Sequence, residues 1–214
     1  KAILDQAHDN PATEQILRQI AQEEPTIYDH RLKLARFYDQ HLEFDRAESV
    51  LRDALQAVPD QEQVWLALAD FLRLRRGKEA AESAFRQAMK QLPYSTKIPL
   101  ALAALYEHEK DMNAARNIYD SMIKEQDKKP AGLDARVKIA QLDFAAGKQD
   151  EALQRLGEVL SENPRSAEGL ILQGKIALIG KKGRDAVQAF RTVLRDQPEL
   201  AHVQHLLGQA YLHT

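Results

Sequence analysis

Five prolines recur with a period of 34 residues, and this period constrains the fold more than any other feature of the chain. It separates Pro25 from Pro59 and Pro59 from Pro93. It also separates Pro164 from Pro198, while two periods and three further residues separate Pro93 from Pro164. A period of about 20–50 residues is typical of repeat proteins, in which each unit buries its apolar face against its neighbours. The sequence therefore predicts a stack of similar units.

The same residue types share columns when the chain is divided at this period, a column being a given position within each unit. The units are 28–61, 62–95, 96–132, 133–166 and 167–200. The twentieth column is always alanine: Ala47, Ala81, Ala115, Ala152 and Ala186. The seventh column holds Leu34, Leu68, Leu102, Ile139 and Gln173. The twenty-fourth column is always large: Leu51, Phe85, Tyr119, Leu156 and Phe190.

The spacing within a unit predicts two amphipathic helices. In the second unit, apolar residues recur at steps of three and four, as Trp65, Leu68, Ala69 and Leu72 and again as Ala81, Ala84, Phe85 and Ala88. Polar turns with glycine at 75–78, 146–148 and 180–183 separate the stripes, and we expect glycine to take the positive φ that ends a helix there. We expect Asp60, Ser95 and Ser166 to cap helix N-termini.

These columns resemble the tetratricopeptide repeat (TPR), whose pattern is W-x2-L-G-x2-Y, then A-x3-F-x2-A, then P. The second unit matches most fully, at Trp65, Leu68, Ala69, Leu72, Ala81, Phe85, Ala88 and Pro93. Arg31, Pro99 and Arg136 replace the aromatic residue of the fourth column, and Asp143 and Ala177 replace the tyrosine of the eleventh. The resemblance implies an all-α fold, a right-handed superhelical solenoid of antiparallel helix pairs.

We expect one TPR array across residues 1–214. Residues 1–27 then form a partial repeat, mainly its second helix, and 201–214 form the first helix of a further repeat. Partial repeats at both ends, without a polar capping helix, predict a fragment of a longer array. The apolar faces of residues 1–8 and 203–212 should then meet further repeats or another copy of the chain. The additional residues in 124–132 predict a longer surface turn or a local change of superhelical path.

Composition argues against several functions. The 30 basic and 32 acidic residues are intermixed, so we expect no binding of nucleic acid or of an anionic membrane, and no apolar run is long enough to insert into a bilayer. No catalytic motif or phosphate loop occurs, which predicts no enzymatic activity and no cofactor. His202 and His205 have a spacing that can hold a metal, but they lack a third ligand, so we expect no metal site. The absence of cysteine is compatible with an oxidising compartment.

The resemblance implies that the first helix of each unit lines a concave groove through its second, fifth, ninth and twelfth residues. The residues carried over as a peptide-binding groove are Leu32, Arg36, Asp39, Leu66, Asp70, Arg73, Lys97, Leu100, Glu107, Val137, Gln141, Phe144, Ile171, Lys175 and Leu178. The apolar fifth column could instead pack between adjacent first helices. Phe144 and Leu178 are the residues that we expect to contact a ligand.

Chaperone-binding TPR proteins hold a terminal carboxylate with Lys, Asn and Arg side chains at set positions of three repeats. In this chain those positions are Leu32, Arg36, Ala67, Lys97 and Ala101, and only Lys97 has the residue type of the family. We therefore expect a partner peptide or helix held by apolar contacts. The alternatives are an assembly module that pairs through its ends, or the targeting arm of a larger enzyme. The regular helical consensus and the glutamine-rich surface suggest a soluble segment from a bacterium, in the cytoplasm or the periplasm. By analogy of fold, a role in the cell envelope, in secretion or in polysaccharide export is favoured.

Overall fold

A computed structural model describes residues 10–214 and is all-α over that range. Its twelve helices are α1 (Asn10–Glu23), α2 (Tyr28–Gln40), α3 (Phe44–Ala57), α4 (Glu62–Arg75), α5 (Lys78–Gln91), α6 (Lys97–His108), α7 (Met112–Gln126), α8 (Pro130–Ala145), α9 (Gln149–Glu162), α10 (Ala167–Ile179), α11 (Gly183–Asp196) and α12 (Ala201–Tyr211). The predicted apolar face of residues 1–8 lies outside the described residues.

The chain divides into two compact units, each larger than a 34-residue repeat; the first ends at His108 and the second begins at Glu109. From here on, the first unit and the second unit mean these two parts of the chain. In the first unit, α1 to α6 pack in chain order, and α2 and α6 also each contact α4. In the second unit, α7 to α12 pack in chain order, and α8 and α12 also each contact α10. Short turns join helices that pack against each other, so each unit is a stack of antiparallel helix pairs.

The repeated columns form the core, as the pattern predicted. All five alanines of the twentieth column have 0% exposure. The large residues of the twenty-fourth column are between 0% and 6% exposed, and the first four residues of the seventh are between 0% and 5% exposed. Alanine lets two helix backbones approach closely, and the large side chain one turn later fills the space beside it. The division into repeats at the stated boundaries stays a prediction.

The predicted helix ends are right in part. Ser166 Oγ accepts from the Gly169 amide at 3.3 Å, and Ser95 Oγ accepts from the Ile98 amide at 3.1 Å. The expectation for Asp60 is wrong, because Gln61 is the N-cap of α4 and no side chain caps that end. Pro99 lies in the first turn of α6, where an amide has no partner within the helix.

Glycine takes the positive φ in two of the three predicted turns, at Gly77 and Gly147. In the third turn, Gly180 has φ −75° and Lys181 takes the left-handed conformation with φ 56°. Leu42 and Lys110 occupy the same column as Lys181 and also have positive φ. The geometry of the turn therefore overrides the conformational preference of the residue.

The three additional residues do not make a longer turn, and that expectation is wrong. They extend the flanking helices α7 and α8, so that only residues 127–129 connect them. The tight connection requires Gly132, because a Cβ there would lie 2.3 Å from the carbonyl oxygen of Asp127. Extending a helix pairs these backbone groups within the protein, whereas in a surface turn they would bond mainly to water.

Two mid-helix glycines of the second unit provide a matched test of close packing. A Cβ at Gly174 would lie 2.5 Å from the Phe190 ring, whereas a Cβ at Gly157 would meet nothing within 4 Å. We expect Gly174→Ala to lower the free energy of unfolding by about 1–3 kcal/mol through overpacking. Gly157→Ala should raise it by about 0.5–1 kcal/mol through helix propensity. Urea unfolding followed by circular dichroism measures both, and equal effects would contradict this account of the packing.

Candidate functional site

In the first unit, the charged residues predicted to line a groove are largely paired within the protein. The pairs are Arg75 Nε to Asp39 Oδ1 at 2.7 Å, Arg73 Nη2 to Asp70 Oδ1 at 2.7 Å and Lys97 Nζ to Glu62 Oε2 at 3.1 Å. A second hydrogen bond of 3.0 Å makes the Arg75 pair bidentate, and it joins the first helices α2 and α4. These pairs leave less charge available to a partner than the sequence suggested.

The remaining predicted residues of the first unit differ in exposure. Leu32, Leu66 and Leu100 are half-buried on α2, α4 and α6, and Glu107 is half-buried near the end of α6. Arg36 is exposed on α2. The apolar residues of this row therefore share their surface between packing and solvent.

The second unit brings together some of the predicted residues and removes one from the surface. Val137 has 0% exposure and lies in an apolar cluster with residues of α9 and α10 such as Leu156 and Ile176. Its expected place in a groove is therefore corrected, because a fully buried side chain offers no contact area. Gln141 is half-buried on α8, and Lys175 is exposed on α10.

Phe144 and Leu178 remain partly exposed on the first helices α8 and α10, which contact each other. Each packs one side against a buried cluster: Phe144 against the cluster containing Leu156, and Leu178, like Ile171, against the cluster around Phe190. Ile179, next along the chain, is 66% exposed. Phe144, Leu178 and Ile179, called the apolar row below, thus leave apolar surface on α8 and α10.

Tyr38, in the eleventh column, holds a polar cluster between two second helices. Tyr38 Oη donates to Glu14 Oε1 at 2.9 Å and accepts from Arg18 Nε at 2.7 Å and from Arg46 Nη2 at 2.9 Å. The Arg46 guanidinium also lies 4.1 Å from the Tyr38 ring centroid. The hydrogen bond from Tyr38 lowers the pKa of Glu14, and burial raises the pKa of Tyr38. The cluster thus joins α1, α2 and α3.

A second cluster of this kind surrounds Tyr106. Arg86 Nη2 donates to Tyr106 Oη at 3.1 Å, and Arg86 pairs with Glu82 at 2.8 Å. The hydrogen bond from Tyr106, followed by that from Arg86, lowers the pKa of Glu82. Burial, followed by the hydrogen bond to Glu82, raises the pKa of Tyr106. These couplings make both ends of the pH range relevant to stability.

The contacts of Asp143 explain why this position of the eleventh column can lack a tyrosine. It is buried, and its carboxylate accepts hydrogen bonds from Arg116 on α7 and, at 3.3 Å, from Arg155 on α9. The two arginines come from the second helices on either side of α8, as the arginines at Tyr38 come from those on either side of α2. A carboxylate thus replaces the phenol as the centre of an arginine cluster.

Within residues 10–214, no group of three or more His, Cys, Asp and Glu side chains is placed to hold a metal ion. His205 Nε2 lies 3.1 Å from Gln209 Nε2, and His202 and His205 are both exposed. In the same part of the chain, no helix is both long and apolar enough to cross a membrane.

The family described as "Suppressor of forked protein (Suf)" has a model that matches residues 28–204. No curated protein sequence matches the chain. Several solved structures are similar. A tetratricopeptide repeat protein from Parabacteroides merdae has 18% identity and a TM-score of 0.63, and the match covers 98% of this chain and 89% of that one.

Yeast Tom70 has 16% identity and a TM-score of 0.71, with 96% of this chain covered and 44% of Tom70. PilW, described as a widely conserved type IV pilus biogenesis factor, has 18% identity and a TM-score of 0.55, with coverages of 88% and 90%. At these identities the likeness is one of fold. It confirms the resemblance to TPR proteins and the all-α fold class of antiparallel helix pairs.

Removing the Tyr106 hydroxyl tests the Glu82 cluster. The pKa of Tyr106 is raised above 10.0, so its contribution to stability is present below that pH and is lost as pH rises beyond it. The pKa of Glu82 is lowered below 4.5, so its contribution is present above that pH and is lost as pH falls. We expect Tyr106→Phe to lower the free energy of unfolding by about 1 kcal/mol at neutral pH. It should also weaken the dependence of that free energy on pH at both the acid and the alkaline end.

Tyr94→Phe is the matched control, because Tyr94 is 92% exposed. Chemical unfolding of the two variants and the wild type between acid and alkaline pH measures the effect. An unchanged pH profile in Tyr106→Phe would show that this hydroxyl does not couple to Glu82.

The Asp143 cluster predicts a large effect of one truncation. We expect Asp143→Ala to lower the free energy of unfolding by about 3 kcal/mol, because two partly buried arginines lose their common acceptor. Glu162→Ala, which removes an exposed pair with Lys128, should have little effect. Thermal unfolding distinguishes them, and similar melting temperatures would refute a structural role for Asp143.

Proposed function

The chain belongs to the Suppressor of forked protein (Suf) family, and from this premise and its TPR fold we propose that it is a non-catalytic scaffold that binds a segment of a partner protein. The observation that carries this proposal is the apolar row on the first helices of the second unit, made of Phe144, Leu178 and Ile179. Phe144 and Leu178 each pack one side against a buried cluster, and their remaining surface, together with that of Ile179, is left apolar and exposed.

The geometry favours a partner segment laid across α8 and α10. Phe144 and Leu178 occupy the same column on these two contacting helices, and Ile179 extends the row at 66% exposure. Contiguous exposed apolar side chains rimmed by polar residues are a common mark of a protein-binding surface. An amphipathic helix that places apolar residues one turn apart on this row would bury it.

Charge narrows the class of partner. Lys175 is exposed one helical turn before Ile179, and no ion pair of Lys175 occurs within the described chain. Nearby Lys138, by contrast, is paired with Glu168 at 3.1 Å. The partner segment that fits best therefore has apolar residues beside a carboxylate, which would pair with Lys175 at the rim.

The setting that we propose is the bacterial cell envelope, in a secretion or polysaccharide-export system. The support is analogy with PilW, a type IV pilus biogenesis factor of similar fold. Fractionation of the source organism tests it, and recovery of the protein only with cytosolic markers would contradict it.

A second candidate function is self-association through α12 and Leu212, the residue that follows it. Tyr211 and Leu212 are 46% and 84% exposed, and the described contacts of α12 are with α10 and α11. Replacing Leu212 with a charged residue should then abolish association between copies of the chain, as measured by light scattering. The apolar row on α8 and α10 would play no part in that process.

A double substitution tests the binding row. Partners retained from a lysate of the source organism are identified, and the affinity of the purified partner is measured by calorimetry for wild type and for Phe144→Glu with Leu178→Glu. We expect the dissociation constant to rise at least tenfold, because two charges would be buried without partners. Ile179→Glu should have the same direction of effect with less influence on the core.

Leu42→Glu is the control, since Leu42 is 71% exposed and lies in the first unit. It adds the same charge to an exposed apolar position, and partner affinity should be unchanged. Helicity and monomer mass should match the wild type in every variant that is compared. The assignment of this row would be overturned if the Ile179→Glu variant and the Phe144→Glu, Leu178→Glu double variant both bound the partner as tightly as the wild type.

A further inference from the structure

The second helices of neighbouring pairs form a cleft above the first helix that lies between them. In the second unit, the cleft between α9 and α11, above α10, contains a cavity of about 410 Å³. The corresponding cleft of the first unit lies between α1 and α3, above α2. Both linings include the fourth, seventh, eleventh, nineteenth and twenty-second columns.

The two clefts differ in what stands in the eleventh column. In the first unit it is Tyr38, whose ring lies in the cleft and whose hydroxyl is held by Glu14, Arg18 and Arg46. What remains there is a depression of about 710 Å³ that is more open to solvent and is rimmed by arginines. At the cavity of the second unit the same column holds Ala177, and no aromatic side chain of residues 10–214 lines the cavity.

The residues of the preceding second helix also differ between the tyrosine positions and Ala177. The twenty-first column of the preceding second helix holds Glu14 and Glu82 beside the two tyrosines, but it holds Leu153 beside Ala177. The twenty-fifth column holds Arg18 and Arg86 beside the tyrosines, but here it is Gly157, where a Cβ would meet nothing within 4 Å. The polar groups that hold Tyr38 and Tyr106 are therefore absent beside Ala177, although the same columns keep Glu48 and Arg52 beside Leu72.

The cavity has an apolar floor and a polar rim. Leu153, Leu170, Ile176 and Ala177 lie at the floor, where the two apolar clusters of the second unit meet. Gln173, Gln188 and Asp185 lie at the rim. Asp185 is exposed and occupies the column of Arg46, the residue that covers the Tyr38 ring in the first unit.

We propose that this cavity receives a tyrosine side chain from a partner polypeptide. The floor suits an aromatic ring, which is a large apolar group that loses little side-chain entropy on binding. The Asp185 carboxylate would accept the phenol hydrogen, as Glu14 does from Tyr38, and the rim carboxamides would serve the neighbouring peptide groups. The site is built from α9, α10 and α11, and it does not use Phe144, Leu178 or Ile179.

The probe for this proposal is N-acetyl-tyrosinamide, titrated into the isotope-labelled full chain while amide chemical shifts are recorded. The chain carries Tyr94→Ala, so that its own 92%-exposed tyrosine cannot enter the cavity of a second copy. We expect saturable shifts at Ala177, Ala189 and Gln188, with weak affinity and a preference of at least about threefold over N-acetyl-leucinamide. Shifts that do not saturate, or an equal response to the leucine probe, would overturn the proposal.

Filling the cavity from within is the decisive variant. Ala177→Tyr introduces the side chain that Tyr38 and Tyr106 have in this column and should raise the dissociation constant of the probe by about tenfold or more. Ala145→Tyr adds the same ring at an exposed position of α8 outside the cavity, and binding should be unchanged. If circular dichroism shows that Ala177→Tyr does not fold, Ala177→Leu replaces it. Binding that survives in the folded filled variant would refute the site.

The hydroxyl group has its own test. N-acetyl-phenylalaninamide should bind several-fold more weakly than the tyrosine probe, and Asp185→Ala should remove this difference while leaving the shifts caused by the ring. A preference for tyrosine that persists in Asp185→Ala would contradict the role of Asp185. Because none of these variants replaces Phe144, Leu178 or Ile179, their failure would leave the proposed function intact.

Discussion

The close approach of paired helices at the alanine column is the contact on which the rest of the structure depends. Each of the five alanines is fully buried, and the large residue four positions later fills the space that the small side chain leaves. At Gly174 the approach is closer still, since a Cβ there would overlap the Phe190 ring. Once these columns are packed, other columns can change without disturbing the helix pairs.

The eleventh column illustrates this freedom. It holds Tyr38 and Tyr106 in polar clusters, the buried Asp143 between two arginines, and Ala177 at the floor of a cavity. Tyr38, Asp143 and Ala177 each lie between two second helices of one compact unit. The column therefore sets local polarity and shape, while the alanine and large columns maintain the fold.

The second unit carries both surfaces to which we assign binding. Its first helices expose an apolar row at Phe144, Leu178 and Ile179, and its second helices enclose the cavity above Ala177. In the first unit, comparable positions are occupied by ion pairs such as Arg75 with Asp39, or by Tyr38 itself. Charged pairs and a built-in ring satisfy a surface that would otherwise attract a partner.

The sequence by itself determined the all-α fold class, the pairing of the helices and the buried columns, because apolar residues at steps of three and four act locally and repeat every 34 residues. Only the tertiary structure decided that Asp60 is not a cap, that the additional residues near Gly132 lengthen two helices, and that Val137 is enclosed by α9 and α10. The partners of Asp143 and the cavity at Ala177 were likewise invisible, since they depend on residues of neighbouring helices far apart in sequence. Local periodicity specifies a helix and its apolar face, but contacts between distant residues decide which side chains stay exposed.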